Sequence, residues 1–306
     1  MKRRIIQEGD VVHIYQLSSD KGNIFYERKD FLVFFTLFAC LATLHHIDVA
    51  GLCIMLNHIH IALAHITEKK LSAFIRDLKS MFAFEYNSRY SRKGALWQDD
   101  YGWSVKRGDK EVRTFASYLY NNPVEKHSCR NAEDYQWNFI GYAYGPNPFS
   151  QKVPLNRARN KYRKAVNLVK YFAAQSKPLT YDVLDILFDG LTLEEERALT
   201  DYIVYIYNCI DYRIFLSYYE NLDNMLAAFK AAAGKEYDIN EYKGPSSYRE
   251  FKLLYRVCAE KGYIGKNRRF FTMEDEEKHK LYMMLKCVTG TSEFSIRHYI
   301  HYFKDD

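Results

Sequence analysis

The sequence predicts an α+β protein: an antiparallel sheet with helices in the first half, followed by an all-α C-terminal region. Three observations carry this. Strand-like and helix-like patterns alternate up to about residue 143, whereas only helix-like patterns follow residue 151. Pro123 ends one helical pattern, and Gly234 and Gly262 follow two others as stops. The chain has 306 residues, of which 48% are apolar and 27% charged, close to the globular average and enough for a sizeable core.

The first half resolves element by element. Val11–Leu17 alternates as a strand. Glu27–His45 has a helical stripe of Phe31, Phe34, Phe35, Phe38 and Leu41. Asp48–Leu56 and Asn57–Ala64 form two strands around a tight turn. From Thr67 to about Tyr90, Leu71, Phe74, Ile75, Leu78, Phe82 and Phe84 mark the buried side of a second helix. Tyr101–Lys106 is a fourth strand, and Asp109 caps a third helix that Pro123 ends. The order β-α-β-β-α-β-α is that of a split βαβ. It predicts a ferredoxin-like antiparallel sheet with helices on one face.

The second half changes character. Eight cations lie between Lys152 and Lys177, and no acid occurs from Gln151 to Tyr181. Thr192 and Glu195 make a capping box, as do Ser247 and Glu250, while Gly234 and Gly262 stop helices. Two final helices, 273–287 and 292–303, flank Thr289-Gly290-Thr291 as a candidate helix-turn-helix, with Ser292, Ser295, Arg297, His298 and His301 on its second helix. The expected domains are 1–150, mixed α/β, and 151–306, a basic linker helix and an all-helical domain.

Composition narrows the function classes. No apolar run reaches the ~18–20 residues of a membrane helix, and no apolar signal core follows the basic N-terminus. Six Cys without a C-x-x-C pair argue against a disulfide framework or a Cys-based zinc site, and for a reducing cytoplasm. The chain is basic, with a net charge of +6 and 27 Tyr, 20 Phe and 3 Trp. Cations hold phosphates and rings stack on bases, so this composition is compatible with a nucleic-acid partner.

Two stretches carry chemistry. In Asn57-His58-Ile59-His60-Ile61, period two places His58 and His60 on one strand face, where two imidazoles can share a divalent metal. The bland alternative is a pair of surface histidines. In Ser117-Tyr118-Leu119-Tyr120-Asn121-Asn122-Pro123, Tyr118 and Asn122 are i and i+4 and share a helix face. Here the alternative is a core aromatic and a helix-end amide. Trp97, Tyr101, Trp103, Lys106 and Arg107 interleave rings and cations, a pattern that can clamp unpaired bases or simply pack a core. In the acid-free run, Arg157, Arg159, Lys161, Arg163 and Lys164 are candidate phosphate contacts.

Taken together, Gly22-Asn23-Ile24-Phe25, Cys53 to His60, Leu96-Trp97-Gln98, Tyr118 to Val124 and Glu133 to Trp137 resemble the HUH superfamily of single-tyrosine transposases, and more narrowly the REP-associated tyrosine transposases. The resemblance covers roughly residues 8–143. Leu56 stands where a proline is common, and Glu125-Lys126-His127 replaces a small glycine-containing segment. The resemblance implies an HUH catalytic domain that cleaves and rejoins single-stranded or hairpin DNA through a 5′-phosphotyrosine. Tyr118 would be the nucleophile, with Mg²⁺ or Mn²⁺ held by His58, His60 and Asn122. The competing class is a domesticated binder of structured DNA or RNA that does not cut, and a third is a helical interaction protein. The intact four-residue set favours the enzyme. Monomer and homodimer both stay open.

Overall fold

A computed structural model describes residues 5–234, 248–265 and 267–303. Four strands, β1 (Val11–Leu17), β2 (Asp48–Ile54), β3 (His58–Ala64) and β4 (Gly102–Lys106), form one antiparallel sheet in the order β2-β3-β1-β4. With α1 (Arg28–Leu44) and α2 (Glu68–Tyr90) as crossovers, this is the ferredoxin-like arrangement. Period two splits the strands cleanly: Val12, Ile14, Ile59, Ile61 and Leu63 join α1 and α2 in the larger core. The opposite face is not open. It carries α3 (Gly108–Glu125), so the sheet has helices on both sides, not on one. Pro123 lies inside the last turn of α3, and the helix runs on to Glu125. Close approach is built in at Gly51, beside the Val49/Gly51 register shift: a Cβ there would sit 3.0 Å from the Tyr120 hydroxyl.

Helix α1 is apolar all round. Leu32, Val33, Leu37 and Ala39 are buried in addition to its phenylalanine stripe, so a sheet on one side cannot cover it. The C-terminal half supplies the second cover. Helices α4 (Asn160–Ala174), α5 (Tyr181–Phe188) and α6 (Leu193–Tyr207) form the layer outside α1, with α5 and α6 touching α1 and α4 behind them. Thr192 caps α6 through the expected box with Glu195. On the other side of the sheet, α7 (Tyr212–Leu216) packs against β2, and α8 (Leu222–Ala232) against α3. The chain therefore changes secondary-structure type near residue 150 while one core continues across it. Asp201 of α6 ties the two parts together, accepting hydrogen bonds from the Gln136 amide, the Tyr142 and Ser150 hydroxyls and the Phe149 N–H.

Helices α9 (Tyr248–Glu260), α10 (Asp275–Thr289) and α11 (Glu293–Ile300) complete the chain. Ser247 of the second capping box lies outside the described residues; Glu250 accepts hydrogen bonds from Ser292 and Ser295. In α11, Ile296, Tyr299 and Ile300 are buried, Arg297 pairs with Glu293, and His301 Nδ1 sits 2.6 Å from Asp20. The polar side chains assigned to a recognition helix are thus engaged within the chain. No helix among the described residues is long and apolar enough to cross a membrane.

Behind α11 sits a fully buried ion pair. Arg268 binds Asp30 of α1 and lies between the rings of Tyr90 and Tyr26, 3.9 and 4.4 Å from their centroids. Asp30 also accepts from the Tyr90 and Tyr181 hydroxyls and from the Tyr26 and Glu27 N–H groups. Removing one member of such a pair leaves a buried charge uncompensated. Arg268→Leu should therefore lower the unfolding free energy by about 3–5 kcal/mol, read from the denaturant midpoint. A loss well under 1 kcal/mol would contradict this role.

Candidate active site

The β3 register sets the site. His60 stands opposite Tyr15 of β1 and Cys53 of β2, and His58 opposite Leu17. Their side chains lie on the α3 face and are buried there. The two rings are 4.9 Å apart and perpendicular. Asn57, in the β2–β3 turn, presents Oδ1 2.7 Å from His58 Nδ1, and its Nδ2 donates to the Lys21 carbonyl at 2.9 Å. The second bond fixes the amide orientation, so Nδ1 of His58 carries the proton and Nε2 is the bare nitrogen.

Helix α3 delivers the other two side chains. Tyr118 is half-buried, its ring centroid 5.5 Å from that of His60 and 6.0 Å from that of His13. One turn on, Asn122 places Nδ2 3.0 Å from His60 Nε2, while its buried Oδ1 has no hydrogen-bond partner. Tyr120, about 200° around the helix from Tyr118, is fully buried and stacked on Phe229. Three hydrogen bonds anchor this region: Asn121 Nδ2 to the Phe229 carbonyl, Asn138 Nδ2 to the Tyr120 carbonyl, and the Tyr135 hydroxyl to the Ile54 carbonyl.

Burial keeps the imidazoles neutral. It pushes His58 down to about 4, helped by the Lys126 cation and opposed by the Asn122 amide. His60 is held well below its ordinary value by burial, and then by His58, His13 and Lys126. His13 falls to about 3 through burial and the Lys106 charge. Neutral imidazoles offer lone pairs to a metal. Among the described residues no group of three or more His, Cys, Asp and Glu side chains could hold an ion. A third donor would then be of another type, and Asn122, whose Nδ2 lies 3.0 Å from His60 Nε2 and whose buried Oδ1 has no hydrogen-bond partner, carries an oxygen of that type. A mixed nitrogen and oxygen set suits Mn²⁺, and Mg²⁺ less well.

The expected DNA contacts divide. Trp97 does not face solvent: it is buried against Phe25, Phe34 and Phe82 and is a core residue with no face for a base. Trp103, opposite Ile14 in β4, joins the α1/α2 core and points away from the histidines. Tyr101 is half-buried, its hydroxyl 3.4 Å from Ser72. Lys106 lies on the site face, 5.8 Å over the Phe115 ring. Arg107 forks onto Asp10 and donates to the Ile5 carbonyl. Arg159 is bound to Glu195, and Lys161 lies 3.3 Å from Asp189. Arg157, Arg163 and Lys164 are exposed. Helix α4, which carries Lys161, Arg163 and Lys164, belongs to the layer outside α1, across the sheet from Tyr118. The structure therefore unites His58, His60, Tyr118 and Asn122, and separates them from the cations of α4.

Sequence reasoning missed His13, Asn57 and Lys126. His13 was detectable in principle, because in Val11-Val12-His13-Ile14-Tyr15 the flanking Val12 and Ile14 are core positions. What was lacking was the pairing of β1 with β3.

Residues 11–122 match the family described as "Transposase IS200 like". The matched span opens on the first residue of β1 and closes on Asn122, so it holds the sheet, α1, α2 and all four candidate side chains. This segment is thus similar to the IS200-like transposases. A solved structure of the REP-associated tyrosine transposase bound to a REP hairpin is 15% identical, with a TM-score of 0.40, covering 47% of this chain and 84% of that one. No curated protein matches.

Because the buried histidines are neutral when folded and titrate near 6.5 when unfolded, the unfolded chain binds more protons in mild acid. Their contribution to stability is complete above about pH 6.5 and is lost as pH falls toward about 4. The urea midpoint should drop over that window, and less steeply in His58→Gln. Parallel profiles for the two proteins would contradict the burial argument.

Proposed function

We propose that this chain cleaves and rejoins single-stranded or hairpin DNA through Tyr118. The observation that carries this reading is the joint placement of Tyr118 and Asn122 on one face of α3, against His60. It lies in the segment that matches the IS200-like family. The Tyr118 oxygen attacks a phosphodiester and forms a bond to phosphorus. The bond from phosphorus to the 3′ oxygen breaks, the phenol loses its proton, and the leaving oxygen gains one. The products are a 5′-phosphotyrosine and a free 3′-hydroxyl. Because the covalent link keeps the energy of the broken bond, the reverse attack rejoins DNA without ATP.

His58, His60 and the Asn122 oxygen would hold Mg²⁺ or Mn²⁺. Such an ion polarises the scissile phosphate and stabilises the charge that develops on it. His58 and His60 stay unprotonated at neutral pH because they are buried. Asn57 holds the His58 ring in the tautomer that bares Nε2. In this reading residues 1–150 carry the chemistry and residues 151–306 buttress α1 and α3, in a protein acting on cytoplasmic DNA.

The test is a denaturant-resistant protein–DNA adduct, formed with single-stranded DNA from the flanking sequence and Mn²⁺. Tyr118→Phe should abolish the adduct and leave DNA binding intact, whereas Tyr120→Phe should retain it. DNA binding with no adduct from the wild type would favour the non-cleaving binder.

Arg157, Arg163 and Lys164 are proposed backbone contacts outside the catalytic face. Each Ala substitution should lower the slope of log affinity against log salt by about 0.7 on a single strand, without changing adduct formation at saturating DNA. Unchanged slopes would remove the run from the interface.

A further inference from the structure

We propose that His13 is a positioning residue: it fixes the tautomer of His60, so that the Nε2 lone pair of His60 faces Asn122. This rests on the reading of His58 and His60 as metal ligands. On the β1–β3 ladder His60 stands opposite Tyr15, so His13 is its diagonal neighbour on the same face. His13 Nε2 lies 3.2 Å from His60 Nδ1, and the two rings stack at 5.5 Å and 25°. Both residues are 1% exposed, so water is a poor substitute for either partner.

The proton positions follow from donor chemistry. A His60 Nε2 that ligates a metal is unprotonated, and the Asn122 Nδ2 placed 3.0 Å from it, which donates, agrees with that state. A neutral imidazole with a bare Nε2 carries its proton on Nδ1, and that proton points at His13 Nε2. His13 therefore accepts from His60 and keeps its own proton on Nδ1. Its ring is fixed on the far side by Phe115, 4.5 Å away, with Tyr15 and Tyr118 at 5.9 and 6.0 Å. The Lys106 cation of β4 disfavours a positive charge on it. A ligand histidine whose second nitrogen is held in this way is oriented and made more basic at the first.

Two variants separate this from simple packing. His13→Leu keeps an apolar side chain of similar bulk and removes the acceptor. His13→Gln carries an amide that reaches the same position and can accept. Circular dichroism and thermal midpoints establish folding. The direct readout is the pair of imidazole ¹⁵N shifts of His60 in metal-free protein. Wild type and His13→Gln should show one tautomer, protonated at Nδ1, whereas His13→Leu should show a mixture. Mn²⁺ affinity, measured by electron paramagnetic resonance, should fall about 10–100-fold in His13→Leu, stay close to wild type in His13→Gln, and vanish in His60→Ala.

A wild-type His60 protonated at Nε2 would overturn the proposal, even if His13→Leu failed to fold. So would a His13→Leu protein with the wild-type tautomer and wild-type Mn²⁺ affinity. Were the wild type to bind no Mn²⁺, the metal reading would fail by itself, and the tautomer spectra would still decide the role of His13.

Discussion

Burying imidazoles between a sheet and a helix costs their hydration, and the cost is offset only if their nitrogens find partners. Strand β3 imposes this condition. It is paired on both edges and covered on both faces, so each residue from His58 to Ala64 is buried. Ile59, Ile61 and Leu63 meet the condition by contact with α1 and α2. His58 and His60 meet it through Asn57, His13 and Asn122. Neutral rings and a buried amide oxygen without a hydrogen-bond partner are the outcome of that packing.

The rest of the molecule holds these partners in place. The turn carrying Lys21 orients Asn57, and the end of α11 closes over that turn through His301, Asp20 and the Asn23 carbonyl. Helix α8 backs α3, with Phe229 stacked on Tyr120 and its carbonyl holding Asn121. The Arg268–Asp30 pair joins α1 to the C-terminal helices. The helical half therefore acts on the candidate site through the elements it braces, although its basic helix α4 lies across the sheet.

The parts of this arrangement set by local periodicity were legible in the sequence. The strand and helix order, the shared face of His58 and His60, and the shared face of Tyr118 and Asn122 all follow from periods of two and 3.6. The capping box at Thr192 is equally local. What depends on long-range pairing was not legible. Trp97 and Trp103 have the composition of a base clamp, but only the sheet topology shows that both belong with α1 and α2. His13 looks like any strand histidine until β1 is set beside β3. The all-round apolarity of Leu32, Val33 and Leu37 did announce a second cover for α1, and a five-residue stripe was too narrow a reading of that helix.

The central claim is that one of two nearby tyrosines is the nucleophile, selected by the face of α3 on which it lies. Trypsin releases both in one peptide, Thr114–Lys126. The most direct measurement is fragmentation mass spectrometry of that peptide after reaction with single-stranded DNA and Mn²⁺, with nuclease trimming of the DNA. The account predicts a 5′-phosphonucleotide on Tyr118. A nucleotide on Tyr120, or an unmodified peptide from protein that binds DNA and Mn²⁺, would contradict it.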